Sequence, residues 1–515
     1  MRIFMKNGIF SIAFCVMSTL GVVGISATPL WAQADSGEAV NIEKLRAQAE
    51  SGNAEAQLYL GICYSMGEGG VQMDDKEALK WLQLSAQQKN YQAQYMLSLY
   101  CLEGRTVKQN KELGLKLLKS SAEGGFAEAQ YEYASHLAEN DQMNEAMPWM
   151  RKAADQGFVP AQTALGVYLV NMSKPESEEM RLGLEYLTLA AIDGDADAQV
   201  TLGGVLLEQK ETVAAIVWME MASLNGNKEI AGTLEKMDVT PEECYEVANT
   251  FFMGDGIIPK NYGKFRYWAE KAAAKNNPTA LFLLGTFYVS GYDHQLDPEK
   301  GVKYLETAAE AGLPDAIALL AICYRNGRGV EADVRKSIEL LQKAAKLKNP
   351  RAFTQLAFSS LFGIGIASKE EVTKKLFERA VSMNQQTARI FMNYCARNQI
   401  SLENGAALLK QIETAAKEGD PIAQFLMGEF YGDGCGVKMN EKTMLAYYTL
   451  AAKQNYAPAM TALSWAYEMG IVVKENRDTA IQLALKAANQ GDQEALSYLT
   501  TVGQVETEDD TEKDK

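Results

Sequence analysis

The sequence predicts an all-α solenoid of about twelve stacked helix-turn-helix repeats. Three observations predict it. A pair of small residues, usually Ala-Ala, returns with its second member at Ala86, Ala122, Ala154, Ala191, Ser223, Ala273, Ala309, Ala345, Val381, Ala416, Ala452 and Ala488. An opening alanine leads the first helix of each repeat, from Ala56, Ala93 and Ala129 through to Ala423 and Ala459, with Glu243 the single departure. Gly or Asn stands three residues past the pair in ten repeats, including Gly125, Gly157, Asn276 and Gly491, where a left-handed residue ends a helix. Self-similarity with a period near 36 residues is the mark of a repeat architecture.

The elements follow in chain order. Residues 1–34 read as a secretory signal peptide: Arg2 and Lys6 precede an apolar run from Ile9 to Ile25, and Ala32-Gln33-Ala34 offers a small-residue cleavage site before Asp35. Cys15 follows Phe14 rather than the small residue of a lipoprotein site. Residues 35–48 read as a linker, and 49–226 as a first array of five repeats. The spacing between Ser223 and Ala273 exceeds one repeat by 14 residues, which places an inserted helical segment at 227–240. Thr240-Pro241-Glu242-Glu243 then starts a fresh helix with proline at its first position. A second array of seven repeats covers 241–490, a capping helix 491–503, and a solvated acidic tail 504–515. A bend or hinge between the arrays is expected.

Within each first helix, a core residue stands four positions after the opening alanine, as at Leu60, Leu202, Leu284 and Met427, and a small residue usually follows it, as at Gly61, Gly166, Gly285 and Gly428. Tyr or Phe often stands eight positions on, as at Tyr64, Phe251 and Tyr431. This spacing puts all three columns on one helix face, and the small column lets the second helix approach closely. The second helix carries Trp81, Trp149, Tyr186, Trp218, Trp268 or their equivalents in one slot. Glycine turns such as Gly67-Glu68-Gly69-Gly70-Val71 and Gly434-Cys435-Gly436-Val437 join the two helices, and repeats three and five are four residues short there.

These residues resemble the Sel1-like repeat proteins, a branch of the tetratricopeptide-type solenoids. Ala56-Gln57-Leu58-Tyr59-Leu60-Gly61 with Tyr64 and its turn, and Ala423-Gln424-Phe425-Leu426-Met427-Gly428 with Tyr431 and its turn, carry the resemblance, which covers about residues 49–503. Repeats three, five, nine and ten depart from it most. The resemblance implies a right-handed α/α superhelix and an exported bacterial protein, periplasmic or secreted, serving as an adaptor.

Chemistry has few parts to work with. A net charge of −16 without a basic block disfavours nucleic acid and anionic lipid. No second apolar run is long enough to span a bilayer once the leader is removed. The glycine turns follow helices rather than strands and lack the remainder of a phosphate-binding motif. Asp193, Asp195 and Asp197 lack the glycine and glutamate of a calcium loop and read as helix-start residues. His136, between Glu132 and Glu139, reads as a packed histidine, and His294 has no assigned role. No catalytic residue, metal ligand or cofactor site is expected. A relationship to cysteine-rich Sel1-like proteins that bind or hydrolyse penicillins is a minor alternative, because the paired cysteines of that group are missing. Cys63 with Cys101, and Cys395 with Cys435, are the candidate disulfide pairs.

A solenoid of helix pairs presents a concave face lined by its first helices. Positions two, six and nine after the opening alanine fall beside the packing stripe. They place Tyr95, Tyr131, Tyr245, Phe282 and Phe425 in one column, and Phe358, Tyr394 and Trp465 in another. Such aromatics suit a protein or peptide partner, although the first column also fits packing between adjacent repeats. The reading is an exported, non-catalytic scaffold that docks a polypeptide in this groove; a secreted effector binding a host protein is the alternative.

Overall fold

Helix starts in this chain are written by asparagine and aspartate. In a computed structural model describing residues 41–104, 108–292 and 295–502, Asn53, Asn90, Asp195, Asn277, Asn349 and Asp420 each accept a hydrogen bond from a backbone N–H at the opening of a first helix. That satisfies one of the donors a helix start leaves free. First helices are closed by a positive φ at Gly67, Gly104, Gly291 and Gly434, and second helices by one at Gly125, Gly194, Asn276 and Gly491.

Among the described residues stand 27 helices, of which 22 form eleven packed consecutive pairs. In repeat ten, Gln386–Arg397 and Gly405–Glu418 follow one another without packing as a pair, and Gln386–Arg397 lies against Pro421–Asp433 instead. The signal-peptide, acidic-tail and His294 readings at 1–34, 504–515 and 294 lie outside the described residues. One boundary differs from expectation. Residues 35–48 were expected to be linker, but Ile42–Glu50 is a helix, capped by the Asn41 side chain. Ala49, Ala56, Leu60 and Trp81 share a core, so this helix covers the open end of the first repeat much as a preceding second helix would.

Each pair closes on the expected columns. The opening alanines are buried, and a Cβ added at Gly61, Gly166 or Gly285 would meet Leu82, Leu187 or Leu305 of the second helix at 2.7–2.9 Å. The second helix returns the favour at Gly301, where a Cβ would lie 2.8 Å from the Val289 backbone nitrogen and 2.9 Å from the Gly285 carbonyl oxygen. Both neighbours are backbone and cannot swing aside. Gly301→Ala is therefore expected to lose about 1–3 kcal/mol by overpacking, even though alanine is the better helix former by about 1 kcal/mol. Chemical denaturation checks this, and an unchanged midpoint would mean that the crossing can widen freely.

Adjacent repeats are joined by a ladder that the sequence shows only as a recurring Gln. Gln57, Gln94, Gln130, Gln162, Gln199 and Gln424 follow their opening alanines directly. Each donates its side-chain amide to the carbonyl of the small-pair residue eight positions earlier: Ala49, Ala86, Ala122, Ala154, Ala191 and Ala416, at 2.8–3.2 Å. Those carbonyls end a helix and accept from the backbone N–H three residues on, so the glutamine amide is a second donor to each. The ladder thus couples repeat to repeat through buried hydrogen bonds.

The chain divides into two compact units at Met237/Asp238. The first holds five pairs and ends with Lys228–Lys236, which buries Ile230 and Leu234. The second holds seven repeats, six of them packed pairs, opened by a capping box between Thr240 and Glu243 and closed by Gln493–Thr501. A continuous core in the second unit runs from Ala357 to Val502.

Candidate functional site

Of the eight aromatic residues placed on the groove, three are core instead. Phe358 is 2% exposed and sits at the centre of a ring cluster, with centroids 5.1–5.2 Å from Phe377, Phe391 and Phe430 and 6.2 Å from Phe362. Tyr394 is buried, and burial pushes its hydroxyl pKa up to about 12. Phe425 is buried between Tyr448 and Tyr456. Their expected place on an open face is corrected. Phe430 of repeat eleven closes over Phe358 of repeat nine, and Tyr394 lies in the same continuous core. Phe425 packs on its own second helix and on Tyr456 at the start of the next repeat.

The other five keep part of their surface open. Tyr95 packs on Phe126 and Tyr131 on Phe158, each ring resting on the residue that precedes the next repeat's first helix. The first column thus serves packing between repeats as well as lining. Trp465 stands edge-on to Tyr498 at 4.9 Å, Tyr245 is half-buried, and Phe282 lines a cavity described below.

Closure of the second unit is built from contacts between residues far apart in sequence. Arg325, 8% exposed, donates to the Gln355 side chain and to the Asp433 carbonyl, both at 2.7 Å, and Asn326 reaches the same carbonyl at 3.0 Å. Arg351 pairs with Asp433 at 3.0 Å, and Arg328 pairs with Glu441. At the ends of the array, Lys260 Nζ lies 2.8 Å from Glu468 Oε1 and 3.0 Å from Glu475, while Arg477 donates to the carbonyls of Met253 and Gly254. The turn of the first repeat is thereby latched to the turn of the last. None of these partners was singled out from sequence, because charges 80 to 220 positions apart leave no local signal.

Between these walls lies a cavity of about 560 Å³. Phe282, Val289, Leu319, Ile322 and Met444 are among its apolar lining residues; Arg328, Arg351, Glu429, Asp433, Glu441 and Glu494 bring charge to it. Glu429 accepts from the hydroxyls of Tyr448 and Thr387. Burial, followed by the negative charge of Asp433, raises the Glu429 pKa, opposed by those two hydrogen bonds and by Arg351.

All six cysteines among the described residues are free. The pairs Cys63/Cys101 and Cys395/Cys435 are therefore unbonded here; the Cys435 thiol instead faces the Gln355 side-chain oxygen at 3.4 Å. Burial raises the thiol pKa to about 11 at Cys323 and Cys435 and about 12 at Cys395, which keeps them protonated and poorly nucleophilic at neutral pH. His136 lies half-buried beside Asn140. Among the described residues no group of three or more His, Cys, Asp or Glu side chains is placed to hold a metal ion, and no helix is long and apolar enough to cross a membrane.

The repeat profile described as Sel1 repeat matches residues 54–90, 92–126, 127–158, 159–195, 244–277, 278–313, 314–349, 421–456 and 457–492, more than half of the chain. The chain belongs to the Sel1 repeat family. The profile passes over repeats five, nine and ten, three of the four that depart most in sequence. Among curated relatives, the uncharacterized protein NMB1327 of Neisseria meningitidis is 29% identical over 32% of this chain and 33% of its own length. The chitin synthase regulator SKT5 of Saccharomyces cerevisiae is 26% identical over 46% of this chain and 34% of its own. The chain thus spans about a third of the length of these curated relatives. Of solved structures, a protective antigen of uropathogenic Escherichia coli with this repeat fold is 22% identical, covering 92% of each chain with a TM-score of 0.34. A Sel1 repeat protein from Oxalobacter formigenes is 26% identical over 69% of this chain and 90% of its own, with a TM-score of 0.31.

Proposed function

We propose that the protein is an exported, non-catalytic scaffold that holds a polypeptide on the first-helix face of its first array. The observation that carries this reading is that Tyr95 and Tyr131, members of one column in adjacent repeats, keep part of their surface open on that face while each also packs on the next repeat. Column six of the fifth repeat is Gly204, with open space where a side chain would stand, which leaves room for a partner's backbone. Partly exposed tyrosines offer contact area at little ordering cost. Sel1 membership and a relative that regulates chitin synthase favour an adaptor over an enzyme. The acidic surface favours a neutral or basic partner and repels nucleic acid.

Export rests on the pattern of Arg2, the apolar run and Ala32-Gln33-Ala34, and the periplasm is the compartment proposed. Two measurements test the reading. Mass spectrometry of protein recovered from the envelope should find a mature N-terminus at Asp35. In-cell crosslinking should capture a polypeptide that a folded Tyr95→Ala/Tyr131→Ala variant loses. A partner retained by that variant would move the docking surface elsewhere, and recovery of uncleaved protein from the cytoplasm would overturn export.

A further inference from the structure

We propose that the second helix of repeat eight, Val334–Lys346, is a docking face for an acidic segment of a partner polypeptide. Its exposed side carries Arg335, Lys343 and Lys346, followed by Lys348, on a chain whose net charge is −16. Spaced along one helix face, they make no basic run in the sequence. The repeat itself does not call for these cations. One repeat to either side, the second helices carry Glu299 and Glu371 where this one has Arg335, and Glu310 and Ser382 where it has Lys346. Helix chemistry explains only part of them. Lys343 and Lys346 stand in the last turn, where a cation meets the negative end of the helix dipole. Arg335 stands in the first turn, at the end that favours acid.

Among the described residues, none of Arg335, Lys343, Lys346 and Lys348 has a carboxylate within ion-pair distance. Glu339, four residues from both Arg335 and Lys343, pairs with neither. Lys336 differs: it donates to the Tyr324 hydroxyl, which in turn reaches Glu306. Lys343 makes only a long hydrogen bond, 3.4 Å, to the Ala309 carbonyl of the preceding repeat. Leu347, 45% exposed, stands between Lys346 and Lys348 and adds an apolar contact. Like charges three residues apart repel, so a carboxylate brought between Lys343 and Lys346 relieves that repulsion as it binds. Width selects the partner. A helix of 13 residues is about 20 Å long, and exposed Glu299, Glu310, Glu371 and Glu378 stand on the second helices of the neighbouring repeats. A nucleic-acid duplex or an anionic bilayer would press its charge against those carboxylates. A single polypeptide segment can follow the basic strip between them.

The face belongs to the second unit and shares no residue with the Tyr95/Tyr131 surface, so the two readings fail separately. Fluorescence anisotropy of the full mature chain with labelled decaglutamate tests it, at low salt and at about 0.15 M. We expect binding that weakens with salt and that Arg335→Gln/Lys346→Gln reduces about fivefold or more, with circular dichroism unchanged. Lys374→Gln/Lys375→Gln removes the same charge from the next second helix and should leave binding as it is. A duplex DNA oligonucleotide and phosphatidylglycerol vesicles should bind more weakly than the peptide. No binding of decaglutamate, equal loss in both double variants, or loss in neither would overturn the proposal. Tighter binding of DNA or vesicles would overturn it in favour of phosphate. Peptide binding that appears only once residues 504–515 are removed would give the face to the chain's own acidic end and overturn it too.

Discussion

Phe358→Ala is expected to cost about 3–5 kcal/mol, the range for a large aromatic removed from a packed core. The ring meets four other phenylalanines, supplied by repeats nine, ten and eleven, so its loss opens a void that no single helix can collapse into. Denaturant titration of the second unit's transition measures this. A cost below about 1 kcal/mol would mean the ring faces an open groove after all. The same burial makes Tyr394→Ala a poor probe of partner binding, since it removes core before it removes any surface. Phe358→Leu, closer in volume, should recover much of the loss.

Breaking the latch should have a comparable effect. The Lys260 side chain is 9% exposed and Glu468 is fully buried, and Tyr498 donates to the other oxygen of that carboxylate at 2.7 Å. Lys260→Ala would leave the carboxylate buried, with Arg477 4.0 Å away as the remaining cation. Removing one partner of such a pair costs about 3–5 kcal/mol, chiefly as the penalty of an uncompensated buried charge. Replacing both partners, as in Lys260→Met/Glu468→Leu, should restore most of that stability. Small-angle scattering then separates two roles. If the single variant widens the second unit while its helical content holds, the ion pair sets the closure of the array. An unchanged profile together with a cost under 1 kcal/mol would leave closure to the phenylalanine cluster and the Asp433 contacts.

Much of this architecture is legible along the chain because it is made of short-range rules. Alanine at 56, 93 and 129, glycine at 61 and 285, and asparagine or glycine at helix ends each act within a few residues or across one helix pair. Periodicity multiplies those rules into twelve repeats, eleven of them packed pairs. Even the Gln ladder was visible as a column, although its role as a link between repeats needed the carbonyl eight positions earlier to be placed in space. The helix at Ile42–Glu50 was missed because it is half a repeat without its partner, and a lone second helix shows little of the repeat pattern.

The interior of the second unit belongs to a different scale. In a solenoid, the position of one repeat against another four places away is the sum of small rotations, each set by side-chain volumes at an interface. Repeats nine and ten, where the sequence strays from the pattern, lie on the path between Arg325 and Asp433. A phenylalanine at column six has the same local neighbours whether that sum leaves an open groove or brings repeat eleven against repeat nine. Spacing along the chain therefore specified the helices, their pairing and their order. The buried or open fate of Phe358, the latch at Lys260 and the charged cavity were decided by accumulated rotation, which brings together residues that no periodicity relates.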